Sequence, residues 1–411
     1  MSAVELGCKE CGATLDLGAA YFCGQCFGPL EVRYDHSGLE PDEARRRIQA
    51  GSNGIWRYLD FLPFTGGRPE VGPLEPGMTP LIKADRLAEA LGTGAEIWVK
   101  NDAANPTHSF KDRVVSVALA KARELGYQTV ACASTGNLAN SVAANAAAGG
   151  FDCYVFVPSN LEEQKLLATD IYGSNLVGVK GNYDDVNRLC TQLSDEKPWA
   201  FVNVNLRPYY SEGSKTLAFE TIEQLGWRLP DRVVCPIASG SLFTKIGRGF
   251  SEWQEVGLVE GDTPVFNGAQ AEGCSPVAAA FRDGEDFCRP QKPDTIAKSL
   301  AIGDPADGPY ALDQARRTGG GVDSVTDDEI RAGIRLLAET TGIFTETAGG
   351  VTTAVLAKLA ERGELADGEK VVVYITGEGL KTLDANRDTF SLREIEPTVE
   401  SFESTFATTF A

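Results

Sequence analysis

Positive charge is scarce in this chain. Its 38 lysines and arginines stand against 58 aspartates and glutamates, for a net charge of −20 and a pI near 4.6. Non-specific nucleic-acid binding needs clustered cations, so no nucleic-acid partner is expected. The imbalance fits an acidic, self-repelling surface, one that would also suit a saline cytoplasm. An anionic substrate then requires a local cationic pocket, because the field of the whole molecule repels it. Long apolar runs are missing as well. No stretch of about 20 apolar residues occurs, and the alanine-rich segment from Ser141 to Gly150 is short and broken by Asn145. No membrane partner is expected. The opening Met1 to Gly7 has no basic region leading into an apolar one, which argues against a signal peptide and for a cytoplasmic protein. Histidine is reduced to His36 and His108.

What is present is sufficient for two or three domains: 411 residues, 43% apolar and 23% charged, an ordinary balance for a globular protein. Ten cysteines fall into two classes. Cys8-x2-Cys11 and Cys23-x2-Cys26 form two knuckles, while Cys132, Cys153, Cys190, Cys235, Cys274 and Cys288 are scattered, several as small buried hydrophobes. Two such knuckles let four thiolates meet one tetrahedral zinc, and about 35 residues cannot build a stable core without a staple. A pair of disulfides is the alternative, disfavoured in a reducing compartment. With four sulfurs available, the ion is structural and His36 is not needed as a ligand.

Residues 1–35 are therefore expected to be a zinc ribbon, and 36–78 a connection with a basic helix around Glu43 to Ile48 and a Pro/Gly-rich stretch. From Leu81 onward β-branched runs alternate with helical-length segments. The runs are Glu96–Lys100, Thr129–Ala133, Cys153–Val157, Asn175–Val179, Arg232–Cys235 and Lys370–Ile375. That rhythm predicts an α/β fold with mainly parallel sheets. The stretch from Glu400 to Ala411 lacks periodicity and reads as a tail.

The chemistry centres on Lys111. Ser109 reads as a helix N-cap with Asp112 three positions on, and Val114 to Ala120 is apolar enough to bury the helix. Near the positive end of the helix dipole a lysine is pressed toward the neutral amine that Schiff-base chemistry needs. Three strand-to-helix turns accompany it: Ser134-Thr135-Gly136-Asn137, Pro236 to Leu242, and Thr376-Gly377-Glu378-Gly379. Each alone is a glycine turn or an N-cap. Together, an amine, phosphate-binding amides and two polar groups at strand ends converge on pyridoxal phosphate.

These residues, with Lys100-Asn101-Asp102, Pro106 to Arg113, Asn203 to Pro208 and Glu212-Gly213-Ser214-Lys215-Thr216, resemble the threonine synthases. Those enzymes belong to the pyridoxal-phosphate family that also holds threonine dehydratase, cysteine synthase and the tryptophan synthase β-subunit. The resemblance spans roughly residues 8 to 385, and some threonine synthases carry a zinc ribbon. It implies two open α/β domains, 79–126 with 205–390 and a smaller 127–204, with the cofactor between them, a tail over 391–411, and a homodimer. It implies Lys111 as the imine-forming lysine, Asn137 at the ring 3′-oxygen, and Ile237, Ala238, Ser239, Gly240 and Ser241 as the phosphate loop. Thr376 falls at the ring nitrogen. The substrate it implies is O-phospho-L-homoserine, with Ser134 and Thr135 at its carboxylate. Arg207, helped by Asn203, Asn205 and Lys215, is the candidate clamp for its phosphate, since a guanidinium fork suits that group; a surface ion pair is the competing role for Arg207. Glu378 has no assigned role, and His108 either touches the cofactor or packs at the helix entry. Two other functions remain open: a dehydratase or sulfur-amino-acid synthase of the same fold, and a zinc-ribbon regulatory protein with an inactive core.

Overall fold

A computed structural model describes residues 2–134, 136–159, 163–181, 183–387 and 389–406. The chain begins with three antiparallel strands in the order β2-β1-β3: β1 Ser2–Cys8, β2 Thr14–Leu15 and β3 Leu30–Asp35. After a helix over Pro41–Gln49, β4 (Leu81–Lys83) and β5 (Glu96–Asn101) enter a larger sheet. The chain then leaves to build a four-stranded parallel sheet from β6 (Thr129–Ala133), β7 (Asp152–Pro158), β8 (Asn175–Val179) and β9 (Ala200–Phe201), ordered β8-β7-β6-β9. It returns with β10 (Arg232–Pro236), β11 (Val265–Ala271), β12 (Gly321–Val325) and β13 (Lys370–Ile375). The larger sheet runs β12-β11-β10-β13-β5-β4, parallel except for β4. The expected α/β class with parallel sheets is what forms.

Strand alternation explains why the larger sheet is buried on both faces. Val372 and Tyr374 of β13, with Val233 and Cys235 of β10, join one core with Phe219, Phe250 and Trp253. Val371, Val373 and Ile375 turn the other way, toward Val351, Val355 and Leu359 of the helix Thr347–Glu361. The ribbon sits on the third cluster, where Leu6, Leu30 and Val32 pack with Val114, Leu206 and Tyr209. Among the described residues no helix is long and apolar enough to cross a membrane.

All six anticipated strand runs lie within observed strands. Two strands of the larger sheet, β11 and the edge strand β12, escaped notice because Gly268, Gly321 and Asp323 dilute their β-branched character. The predicted cap at Ser109 is corrected. Helix Lys111–Glu124 starts after Phe110, the Ser109 hydroxyl is buried without a partner, and Asp112 instead accepts from Thr107 N at 2.6 Å and Thr107 Oγ1 at 2.7 Å. The cause is local: His108, at φ +63°, folds the chain so that Thr107 faces the carboxylate. The helix itself is buried as expected, from Asp112 through Ala122. The C-terminal stretch also departs from expectation, forming a helix over Val399–Phe406 that buries no residue.

Candidate active site

Two chain segments join beneath Lys111. The exit of β13 pairs with the turn before helix Lys111–Glu124: Phe110 N donates to Thr376 O at 2.9 Å, and Glu378 N to His108 O at 3.1 Å. This pairing brings the first helical lysine and the strand-end threonine together although 265 positions separate them in sequence (376 − 111). Lys111 Nζ donates to the Tyr210 hydroxyl at 2.8 Å and lies 4.7 Å from the centre of the Phe110 ring. Among the described residues it forms no ion pair.

A buried carboxylate links the next two residues. Asn137 Nδ2 donates to Glu346 Oε2 at 2.8 Å, and Thr376 Oγ1 to Glu346 Oε1 at 3.4 Å. Burial pushes the Glu346 carboxyl up, while the Asn137 bond and the nearby Lys381 charge pull against it. Glu346 thereby ties the exit of β6 to the exit of β13. Gly377 permits this approach, since a Cβ there would lie 2.5 Å from the Glu346 carboxyl. Lys381 donates to Asn140 Oδ1 at 3.2 Å, and burial lowers its pKa.

The loop from Ile237 to Ser241 leads from β10 into the fifteen-residue helix Ser241–Glu255. Gly240 has φ +95°, a conformation that favours glycine, and a Cβ there would meet the Asp307 carbonyl at 2.6 Å. Asp307 N in turn donates to Ser239 O at 2.8 Å. Ile237 and Gly240 are buried, whereas Ala238, Ser239 and Ser241 are half-buried. The first amides of this helix have no intrahelical partner and can receive an anion. An amine without an ion pair, a glycine-permitted amide cradle and two polar side chains on one carboxylate fit pyridoxal phosphate.

The remaining expected site residues divide. Ser134 is buried, and its Oγ accepts from Gly136 N at 3.4 Å. Thr135 lies outside the described residues. Asn203 meets the backbone of Ala133 at 3.4 and 3.5 Å, so it braces the strand end that carries Ser134. Arg207 pairs with Asp307 at 2.8 Å with 27% of its side chain exposed. Two assignments are corrected. Asn205 accepts from Phe201 N and donates to Trp199 O, so its side chain is engaged in holding the turn after β9. Lys215 is buried between Glu212 (2.7 Å) and Glu252 (2.8 Å), where two carboxylates already neutralise it. Glu378 accepts from Leu380 N and caps the next turn, and His108 is exposed. Sequence reasoning missed Tyr210 and Glu346. Tyr210 could have been found three positions after Arg207 on one helical face; Glu346, far from any glycine turn considered, carried no comparable signal.

In the ribbon the sulfurs of Cys8, Cys11, Cys23 and Cys26 lie within 4.8 Å of one another. Cys8 and Cys26 are 3.4 Å apart, Cys11 and Cys23 3.7 Å. Zinc bonded at ~2.3 Å to four sulfurs would space them by about 3.8 Å. The four thiols form a cluster able to hold a metal ion.

The family model for pyridoxal-phosphate dependent enzymes matches residues 73–377. The threonine synthase of Methanocaldococcus jannaschii is 39% identical, over 92% of this chain and 93% of its own length. That of Methanosarcina acetivorans is 37% identical, over 92% of each. Among solved structures, the processed threonine deaminase isoform 2 of Solanum lycopersicum superposes with a TM-score of 0.64 at 20% identity, covering 87% of this chain and 96% of that one. This last likeness is one of fold.

Proposed function

Because the chain belongs to the pyridoxal-phosphate dependent enzymes, we propose that its cleft carries out the threonine synthase reaction, converting O-phospho-L-homoserine and water to L-threonine and phosphate. What supports this reading is the hydrogen bonding that joins the turn before Lys111 to Thr376, and both Thr376 and Asn137 to Glu346, in a chain aligned almost end to end with threonine synthases. Bound pyridoxal phosphate would supply the electron sink for carbanion chemistry at the substrate's Cα and Cβ.

The chain's own residues do the rest. Lys111 would hold the cofactor, and its free amine would take and return protons as a general base. The Tyr210 hydroxyl keeps that amine in position. Asn137 and Thr376, both oriented by Glu346, would serve the ring 3′-oxygen and the ring nitrogen respectively. Ile237, Ala238, Ser239, Gly240 and Ser241 receive the cofactor phosphate, mostly through backbone amides. Ser134 and Thr135 take the substrate carboxylate, and Arg207 the phosphate that leaves from Cγ. In the ribbon Cys8, Cys11, Cys23 and Cys26 hold a structural zinc. The smaller sheet and its helices, over 127–204, form one domain against 79–126 with 205–390; the assembly is a homodimer in the cytoplasm.

The test is an assay on cofactor-loaded protein with two substrates. Phosphate and threonine should appear from phosphohomoserine. Release of 2-oxobutanoate from threonine, with no phosphate from phosphohomoserine, would replace this reading with a dehydratase.

A further inference from the structure

Lys9 stands between Cys8 and Cys11, on the first knuckle of the ribbon, yet its side chain belongs to the body of the protein. Its ammonium lies 3.3 Å over the centre of the Tyr310 ring, and Glu10 beside it bonds the Tyr310 hydroxyl. Lys9 lines one pocket with Arg207, Lys245, Ser241 and Thr244, and with the carboxylates Asp307 and Glu31. Arg207 is paired with Asp307 at 2.8 Å and Lys245 with Glu212 at 2.5 Å. Lys9 forms no ion pair among the described residues. Three cations therefore line the pocket against two carboxylates, in a chain of net charge −20, and Lys9 is the one cation among them without an ion pair to a described residue, although the Glu31 carboxylate lines the same pocket.

The pocket's position gives that unpaired lysine a meaning. Arg207 is one helical turn from Tyr210, whose hydroxyl holds the Lys111 amine. Ser241 is at once the last residue of the Ile237–Ser241 loop and part of this pocket.

We propose that Lys9 is a substrate-recognition residue, and that the ribbon closes the wall of the pocket that binds the substrate's phosphate monoester. The identity of that substrate rests on the threonine synthase reading above; the affinity of the pocket for a phosphate dianion does not. A lysine on a knuckle turn is held by the sulfur cluster on both sides, so little freedom is lost on binding. With Arg207 it offers a point charge beside a planar fork.

The experiment compares holoenzyme carrying Lys9→Gln or Lys9→Arg with wild type. The glutamine variant should raise KM for phosphohomoserine and the inhibition constant of inorganic phosphate together, by about tenfold or more, the loss expected of one charge-assisted contact. Its kcat and cofactor affinity should stay near wild type, and arginine should restore most of the loss. Unchanged KM and inhibition constant would overturn the proposal, as would an equal fall in kcat and cofactor binding, the mark of a disturbed ribbon. Should the variants fail to fold, amine acetylation of wild-type holoenzyme decides it. Millimolar inorganic phosphate should protect Lys9, and equal labelling with and without phosphate would refute the site. That arm reads the pocket even if phosphohomoserine is not turned over, so failure of the substrate assignment and failure of the site remain distinct.

Discussion

The amine of Lys111 rests on one tyrosine hydroxyl beside an aromatic ring, and among the described residues no carboxylate pairs with it. Its position was legible in the sequence because an apolar helix with a lysine in its first turn is an unusual combination. Lys111→Ala should abolish the visible absorbance of cofactor-loaded protein and reduce turnover to background, while the fold survives, since the side chain is half-buried and forms no ion pair among the described residues. Absorbance spectra and a peptide map after borohydride reduction check this, the pyridoxyl label being expected on residue 111 of the wild type alone. Glu346 was not legible. A glutamate before Thr347-Ala348-Gly349-Gly350 looks like any helix entry, and only the folded chain brings its carboxylate to Asn137 and Thr376, more than 200 positions apart (376 − 137 = 239).

At the scale of elements, the motifs that carried the resemblance are partly structural. Lys100, Asp102, Arg113 and Glu220 form a fully buried ion network. Arg113 reaches Asp102 Oδ2 at 2.6 Å and Oδ1 at 2.8 Å, and Glu220 Oε1 at 2.5 Å and Oε2 at 2.7 Å; Lys100 meets Glu220 Oε2 at 2.7 Å. It locks helix Lys111–Glu124 between β5 and helix Lys215–Gln224, so Lys111 is aimed by residues that never touch it. Burial alone would raise the Glu220 carboxyl, but Arg113 and Lys100 overrule it and hold it down at about 2. Arg113→Met would leave two buried carboxylates without their guanidinium and should cost roughly 3–5 kcal/mol at neutral pH. A depressed carboxyl adds stability above its unfolded pKa of 4.5 and loses it as pH falls toward 2. The gap between variant and wild type in denaturant titrations should therefore narrow across that window. A gap constant with pH would separate Glu220 from the effect. Lys215, which the same motif logic had placed at the substrate, belongs to a second buried network with Glu212, Glu252 and Lys245.

Over the whole molecule, the ribbon is docked as well as stapled. Tyr209 donates to Gly18 O at 2.8 Å and Tyr34 to Glu212 Oε2 at 2.6 Å, while Leu6, Leu30 and Val32 pack against the body. Its strands are only 7, 2 and 6 residues long, too little to hold together unaided. We expect one zinc per chain by metal analysis, and its removal by a chelator should expose residues 1–35 to limited proteolysis before the α/β body is cut. Cleavage patterns unchanged by chelation would mean that docking contacts alone hold the ribbon.

Sequence by itself determined the class of fold, the clustering of the four knuckle cysteines, the place of Lys111 at the start of a buried helix and the turns at strand ends. Each of these is written in local terms: side-chain periodicity, cysteine spacing, and the small residues that sharp turns demand. The tertiary structure decided which charges are free to bind and which are already neutralised. Asn205 and Lys215 look like ligands in the sequence and turn out to be internal braces, while Lys9, an unremarkable lysine in a cysteine knuckle, shares a pocket with Arg207 and forms no ion pair among the described residues. The physical reason is that a charge's availability depends on the partners that distant segments bring to it, and no window of neighbouring residues contains them.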